Sequence, residues 1–374
     1  MRNLKDIILE RLNIKNNVIS ERLVLSKNKN KNKTSYTLFP ETKEELRKMI
    51  EDEIKNNHYN YEISLNHIDT SKITDMSYLF EFDGISGPRN HFNGDISEWD
   101  VSNVTKMRRM FRNSDFTGKN SDLSNWDVSN VTDMSNMFEK SHISGELGIS
   151  TWDVSNVTDM SYMFKNAFIE DDLSAWDVSN VQYIEGMFWG TAFFNSDITN
   201  WKLTSTISLN KMFYRNNHYK QDLSKLDVSH IKSMEAMFAE SSYNGDISGW
   251  DVSNVFNMAE MFKNSKFNRD ISNWDVSKLR STRYMFAGNK YFNQDISDWD
   301  VSNLDYAEDM FAFSVFNGDI SNWNIRRTTN VKEMFHHSKF DGDISKWHIT
   351  RKDLSKHMLA NCPLEKHPPV WYKW

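Results

Sequence analysis

The sequence predicts an α/β repeat solenoid: a tandem stack of coils, each contributing a short parallel strand and a short helix, closed by a cap on its N-terminal side. Three observations predict it. The phrase WDVSNV recurs with small changes, its tryptophan standing at Trp99, Trp126, Trp152, Trp176, Trp201, Trp250, Trp274, Trp299, Trp323 and Trp347, with Leu226 filling one slot and Ile68 opening the series. Neighbouring anchors lie mostly 24 or 25 residues apart, and twelve residues after each comes a phenylalanine, from Phe80 to Phe335, with Leu359 closing the run. Within one copy the hydrophobic period changes from that of a strand to that of a helix. Self-similarity of this kind marks an array in which no copy buries its own apolar face and each depends on the next.

In the copy from Trp126 to Phe138, Trp126 and Val128 alternate with Asp127 and Ser129, the period-two pattern of a strand with one buried face. Asn130 stands where a helix N-cap belongs, with Asp133 three residues on as a shortened capping box. Val131, Met134, Met137 and Phe138 then fall on one stripe of a helix of about two turns. A helix that short does not persist alone, so it needs neighbours on both sides. The chain returns through FNRDIS, FNQDIS, FNGDIS and FDGDIS, starting at Phe267, Phe292, Phe316 and Phe340, where Asn, Gly and Asp form turns and Phe and Ile point inward.

The division that follows is a leader and capping segment over residues 1–60, coils over 61–360, and a cap or docking tail over 361–374. In the leader, Leu4, Ile7, Ile8 and Leu12 predict an amphipathic helix, ERLVLS a strand, and KNKNKNK, Lys27 to Lys33, a solvated basic loop. Thr42 and Glu45 form a capping box for a helix running to about Ile54, with Leu46, Ile50 and Ile54 on one face. Such a helix closes an end that would otherwise expose apolar surface. At the other end, Pro363, Pro368 and Pro369 oppose a regular helix, and Trp371, Tyr372 and Trp374 are expected to fold over the last coil or to serve as a docking peptide. Insertions follow Phe80 (EFDGISGPRNH) and start at Phe116 (FTGKNS) and Ser141 (SHISGELG); such loops are expected on one rim of the stack. A second irregular zone carries Thr206 in place of the first helix apolar residue and Leu226 in place of tryptophan.

With 52 acidic against 45 basic residues, the formal charge of −7 argues against a general nucleic-acid or anionic-membrane surface. The single cysteine, Cys362, excludes an intrachain disulfide and reads as a small side chain near the end. No run approaches the roughly 20 apolar residues of a spanning helix, so membrane insertion is not expected. The charged start MRNLKDIILERLNIKNN lacks the apolar centre of a secretory signal, which favours a cytoplasmic or virion location over a secreted one.

The phrase DIS-x-WDVSNV-x-x-M-x-x-MF resembles the repeat of the BspA-type leucine-rich-repeat surface proteins, a repeat also found in lipoprotein-associated proteins of mycoplasmas. The resemblance spans about Ile68 to Leu359 and implies a leucine-rich-repeat-like solenoid that binds host or partner proteins without catalysis. The lead-in SYTLFPETKEELRKMIEDEIKNN with LNHIDTSKITDMSYLF is similar to leaders in gut-bacterial and bacteriophage members of the same family.

Pairs such as Asp95 with Asp100, Asp246 with Asp251 and Asp295 with Asp300 are expected to serve turns, since calcium needs six to eight converging oxygens. His336 and His337 follow Glu333 without a further ligand, which falls short of a metal site. No nucleophile elbow, HExxH, P-loop or GxGxxG appears. The expectation is therefore a non-catalytic binding scaffold with no cofactor and no metal. Its partner is a protein of unspecified identity, read by the rim loops and by the positions just before each anchor. Those positions change from copy to copy: Glu98, Asn125, Thr151, Ala175, Asn200, Lys225, Gly249, Asn273, Asp298, Asn322 and Lys346. The alternatives are a structural component of a phage particle or other large assembly, with the array as spacer, and an intracellular protein that sequesters a factor.

Overall fold

The computed structural model describes residues 35–84, 87–327, 330–349 and 352–372. The chain divides into two units, Met1–Thr37 and Leu38–Trp374. Of the first, residues 35–37 carry no regular structure, and the predicted first helix, the ERLVLS strand and the Lys27–Lys33 loop lie outside the described residues. All further structure belongs to the second unit.

Helix α1 (Lys43–Asn56) is the one α-helix among the described residues. Thr42 Oγ1 accepts from the Glu45 N–H, Glu45 Oε2 accepts from the Glu41 N–H, and Leu46, Ile50 and Ile54 are fully buried.

The repeats hold the correction. Among the described residues neither the strand nor the short helix predicted for each coil is formed, so the expected α/β solenoid is not the architecture they show. Among the described residues regular pairing reduces to isolated parallel bridges from coil to coil, such as Asp133 with Asp159 and Asn257 with Ser281. The stretch read as a helix is instead a run of β-turns. Met137, Glu139 and Ser141 donate their N–H groups to the carbonyls of Met134, Asn136 and Phe138, three residues back, at 3.1 Å. Asn136 and Lys140, with φ of 57° and 55°, adopt the left-handed region that reverses the chain. The same two slots, ten and fourteen residues after the anchor, are left-handed in every coil from Trp99 to Trp347; at Gly186 and Gly190 both are glycine.

The backbone accounting explains why this wins. Met134, Asn136, Phe138 and Lys140 donate to the carbonyls of Asp159, Ser161, Met163 and Lys165 in the next coil, at 2.8–2.9 Å. The carbonyls of Asp133, Ser135, Met137 and Glu139 accept from Met107, Arg109, Phe111 and Asn113 in the coil before. Alternate residues thus send one backbone group outward to a neighbour and close the other within the coil. A two-turn helix would leave most of its N–H and C=O groups without partners. The apolar spacing is unaffected, because turns that reverse every three or four residues bring the same side chains inward. Val131, Met134, Met137 and Phe138 are all fully buried.

Two ladders fill the core. The anchor phenylalanines stack without a break from Phe80 to Phe335, with centroid separations of 5.3 Å for Phe80–Phe111 and 6.0 Å for Phe238–Phe262. Each anchor tryptophan's indole N–H reaches back to a carbonyl in the preceding coil, as Trp126 to Ile96 at 3.1 Å and Trp250 to Leu223 at 2.9 Å. Trp371, 24 residues beyond Trp347, continues the series by donating to the Ile344 carbonyl at 2.9 Å. In the irregular zone, buried Thr206 replaces an apolar residue and satisfies its hydroxyl on the Val181 carbonyl at 2.6 Å.

The insertions do not simply extend into solvent. Phe116, Ile143 and Leu147 are buried, and Arg89, in the 3₁₀ turn Pro88–His91, pairs with Glu51 of α1 at 2.7 Å. Arg89 also donates to the Leu79 carbonyl, a group that in later coils accepts from the coil before. At the other end the Asn361 N–H, whose counterparts at Asn264 and His337 donate to the next coil, takes the Glu365 carboxylate at 2.8 Å. Pro363 opens a 3₁₀ turn, Pro363–Lys366, a position where its missing N–H costs nothing. Each end of the ladder is thus met by a side chain of complementary charge.

Candidate functional site: the exposed turn line

The residue before each anchor is placed by a turn. In the coil of Trp99, the Trp99 N–H donates to the Ile96 carbonyl at 3.2 Å, making Ser97 and Glu98 the two central residues. The same bond recurs at every anchor through Trp347, to Ile344 at 3.1 Å. Burial of the tryptophan, 3–4% exposed throughout, turns its predecessor outward. All eleven sequence-predicted positions are exposed: Glu98, Asn125, Thr151, Ala175, Asn200, Lys225, Gly249, Asn273, Asp298, Asn322 and Lys346. The repeating turn brings them onto one line. Several are engaged locally: the Thr151 hydroxyl reaches the carbonyls of Ser124 and Gly148 at 3.2 Å, the Glu98 N–H donates to Asn66 Oδ1 at 3.0 Å, and Lys346 reaches Asn322 Oδ1 at 3.5 Å.

Aspartates flank the line on both sides, and each closes a small ring. Asp246 and Asp251 accept from the N–H groups of Ser248 and Ser253 at 2.9 and 3.0 Å, and Asp295 and Asp300 do the same with Ser297 and Ser302. These serine hydrogen bonds hold Asp177, Asp227, Asp246, Asp275 and Asp295 below the ordinary carboxylate range. A carboxylate lowered in the fold contributes stability that is fully present above the unfolded value of about 4 and is lost as pH falls through the folded one. The melting temperature is therefore expected to fall steeply below pH 4, as read by calorimetry. Asp275→Asn, which keeps an acceptor that does not ionise, is expected to lessen that fall.

A second surface was not anticipated. The left-handed turn residues and their neighbours carry a belt of charged and aromatic side chains that pair between coils. Glu139 lies between Arg112 at 2.9 Å and Lys165 at 3.2 Å; burial pulls its carboxyl upward, but the two cations hold it below the ordinary range. Lys165 also sits 4.5 Å above the Trp189 ring, and Arg215 and Tyr214 both bind Glu240 at 2.7 Å. A third feature is the exposed stack Phe168–Phe193–His218, with separations of 5.7 and 5.6 Å. The signal for the belt was the variability of the residues around each MF pair.

Asp309 belongs to the belt. Burial first, and the Glu333 carboxylate second, push it up to about 6. A carboxyl raised in the fold is destabilising above the folded value and neutral below the unfolded one. Asp309→Asn is expected to stabilise by on the order of 1 kcal/mol at pH 7.5 and by almost nothing at pH 3. Denaturant melts at the two pH values read the difference. Asparagine also suits the left-handed φ of 54° at this position.

Among the described residues no group of three His, Cys, Asp or Glu side chains is arranged to hold a metal, and no helix is long and apolar enough to cross a membrane. His336 contacts Glu333 at 3.2 Å, while His337 turns instead to Asn361.

The family model described as "Mycoplasma protein of unknown function, DUF285" matches residues 44–167, 114–225, 207–315 and 264–371. The chain belongs to the DUF285 family. The overlapping matches cover nearly all of the second unit, so the DUF285 repeat is carried by the coils themselves. No curated protein and no solved structure matches the chain.

Proposed function

We propose that this DUF285 chain is a non-catalytic scaffold that binds a protein partner along the exposed line of turns. One observation carries the reading: eleven turns of the same backbone construction present seven different residue types at one outward position, acidic at Glu98 and Asp298, basic at Lys225 and Lys346, and neutral at the rest. A backbone held constant while one outward position varies is how a repeat array separates stability from recognition. The resemblance of the repeat phrase to BspA-type surface repeats supports a binding role.

The test places a photo-crosslinking residue at Asn125, Asn200, Asn273 or Asn322 in the full chain, with exposed Lys140 as a control on another part of the coil. The expected result is one adduct of the same mass, captured from the source organism, at several line positions and absent at Lys140. Adducts that are equal at all sites, or none at the line, would remove the reading.

A further inference from the structure

Two shallow grooves of about 340 Å³ each mark the surface of the second unit, and they differ in how their charges are used. The first lies beside α1, and its lysines are spent: Lys43 pairs with Asp75 at 3.0 Å and Lys72 with Glu41 at 2.5 Å. The second lies between the coils of Trp323 and Trp347 and includes two positions of the exposed line, Asn322 and Lys346, together with Asn324, Arg326 and His348. Here the flanking aspartate row stops. The residue after the anchor, Asp251, Asp275 and Asp300 in the three preceding coils, becomes Asn324 and then His348.

Arg326, Lys346 and His348 are all exposed, and none makes an ion pair with a described residue. The carboxylates that feel Lys346, Asp319 and Asp343, are already engaged by the backbone and side chains of Ser321 and Ser345. Asn322 Oδ1 steadies Lys346 at 3.5 Å, and Asn324 Oδ1 accepts from the Arg326 N–H at 3.4 Å. The Lys346 ammonium thus rests against a neutral amide at a concave site, with the exposed Arg326 side chain beside it and no carboxylate of a described residue in an ion pair with either.

We propose that this groove receives an acidic segment of the protein partner, its carboxylates meeting the Arg326 guanidinium and the Lys346 ammonium. The guanidinium offers a planar fork for bidentate carboxylate binding and the ammonium a point charge beside it. The chain as a whole carries −7, so long-range electrostatics repel an acidic segment and its binding requires a local site. This inference rests on the scaffold reading above and names the chemistry of one end of its binding line.

The experiment titrates the full chain into fluorescein-labelled decaglutamate and follows anisotropy. Saturable binding is expected, weakened at least tenfold in Arg326→Ala/Lys346→Ala and unchanged in Lys140→Ala/Lys202→Ala, which removes two exposed lysines of other coils that lie off the line. Matching melting temperatures exclude unfolding as the cause. Absence of saturable binding, or equal weakening by both pairs, overturns the proposal. So does competition by inorganic phosphate at concentrations that match the peptide's, which would make the groove a site for small free anions. Crosslinking of a partner along the line while decaglutamate fails to bind would sink this inference alone; loss of line crosslinks would sink the scaffold reading instead.

Discussion

Phe238→Ala is expected to destabilise the coils by about 3–5 kcal/mol, the largest effect of any single side-chain truncation considered for this chain. Phe238 is fully buried and stacks at 5.7 Å on Phe213 and 6.0 Å on Phe262, with Tyr243 and Trp250 also against it. The alanine removes a ring from two interfaces at once, and the flanking coils cannot close the gap without breaking their own backbone ladder. Phe168→Ala is the comparison: its ring is 44% exposed and sits in the outer stack, so its loss is expected to stay within about 0.5 kcal/mol. Urea unfolding of both variants measures the contrast. A cost below about 1 kcal/mol at Phe238 would show that the ring ladder does not hold the coils together.

Ala236 separates the turn architecture from a helix by the sign of an effect. It lies in the middle of a stretch with helical apolar spacing, and in a helix Ala236→Gly would cost about 1 kcal/mol. In the fold Ala236 has φ of 53°, where an L-residue is strained by about 1–2 kcal/mol and glycine is not. The expected result is a gain of about 0.5–1 kcal/mol for Ala236→Gly. Ala236→Pro is expected to cost at least about 3 kcal/mol, because proline is confined near −65° and lacks the N–H that Ala236 gives to the Ala259 carbonyl at 2.8 Å. Thermal and urea melts of the two variants read both signs, and a destabilising glycine would return the segment to a helix.

This ambiguity explains how much of the molecule was legible. The repeat, its anchors and the buried set were open to reading because burial follows spacing, and Trp126, Val128, Met134 and Phe138 are inward in either conformation. The conformation was not, since a run of tight turns and a helix both return a side chain to the core every three or four residues. The distinguishing signal was present in the slot two residues after each MF pair, which is asparagine at Asn113, Asn166, Asn264 and Asn361 and glycine at Gly190 and Gly288. Those are the residues that most readily take positive φ. The outward line of positions such as Glu98 and Lys225 was legible from alternation alone, whereas the Arg112–Glu139–Lys165 belt was not. Its members are adjacent only once the coils are stacked in register.

The directional ladder has a consequence for how such a chain changes length. The junctions from Leu226 to Trp323 pass the same row of donors to the same row of acceptors, so a stretch such as residues 227–250 can be excised or copied and the joined neighbours still find partners in phase. Near-identical coding phrases at matching intervals are substrates for unequal recombination, and any product that keeps the interval meets a compatible face on both sides. The array can therefore lengthen or shorten by whole coils in single genetic events, while the residue before each anchor diversifies independently.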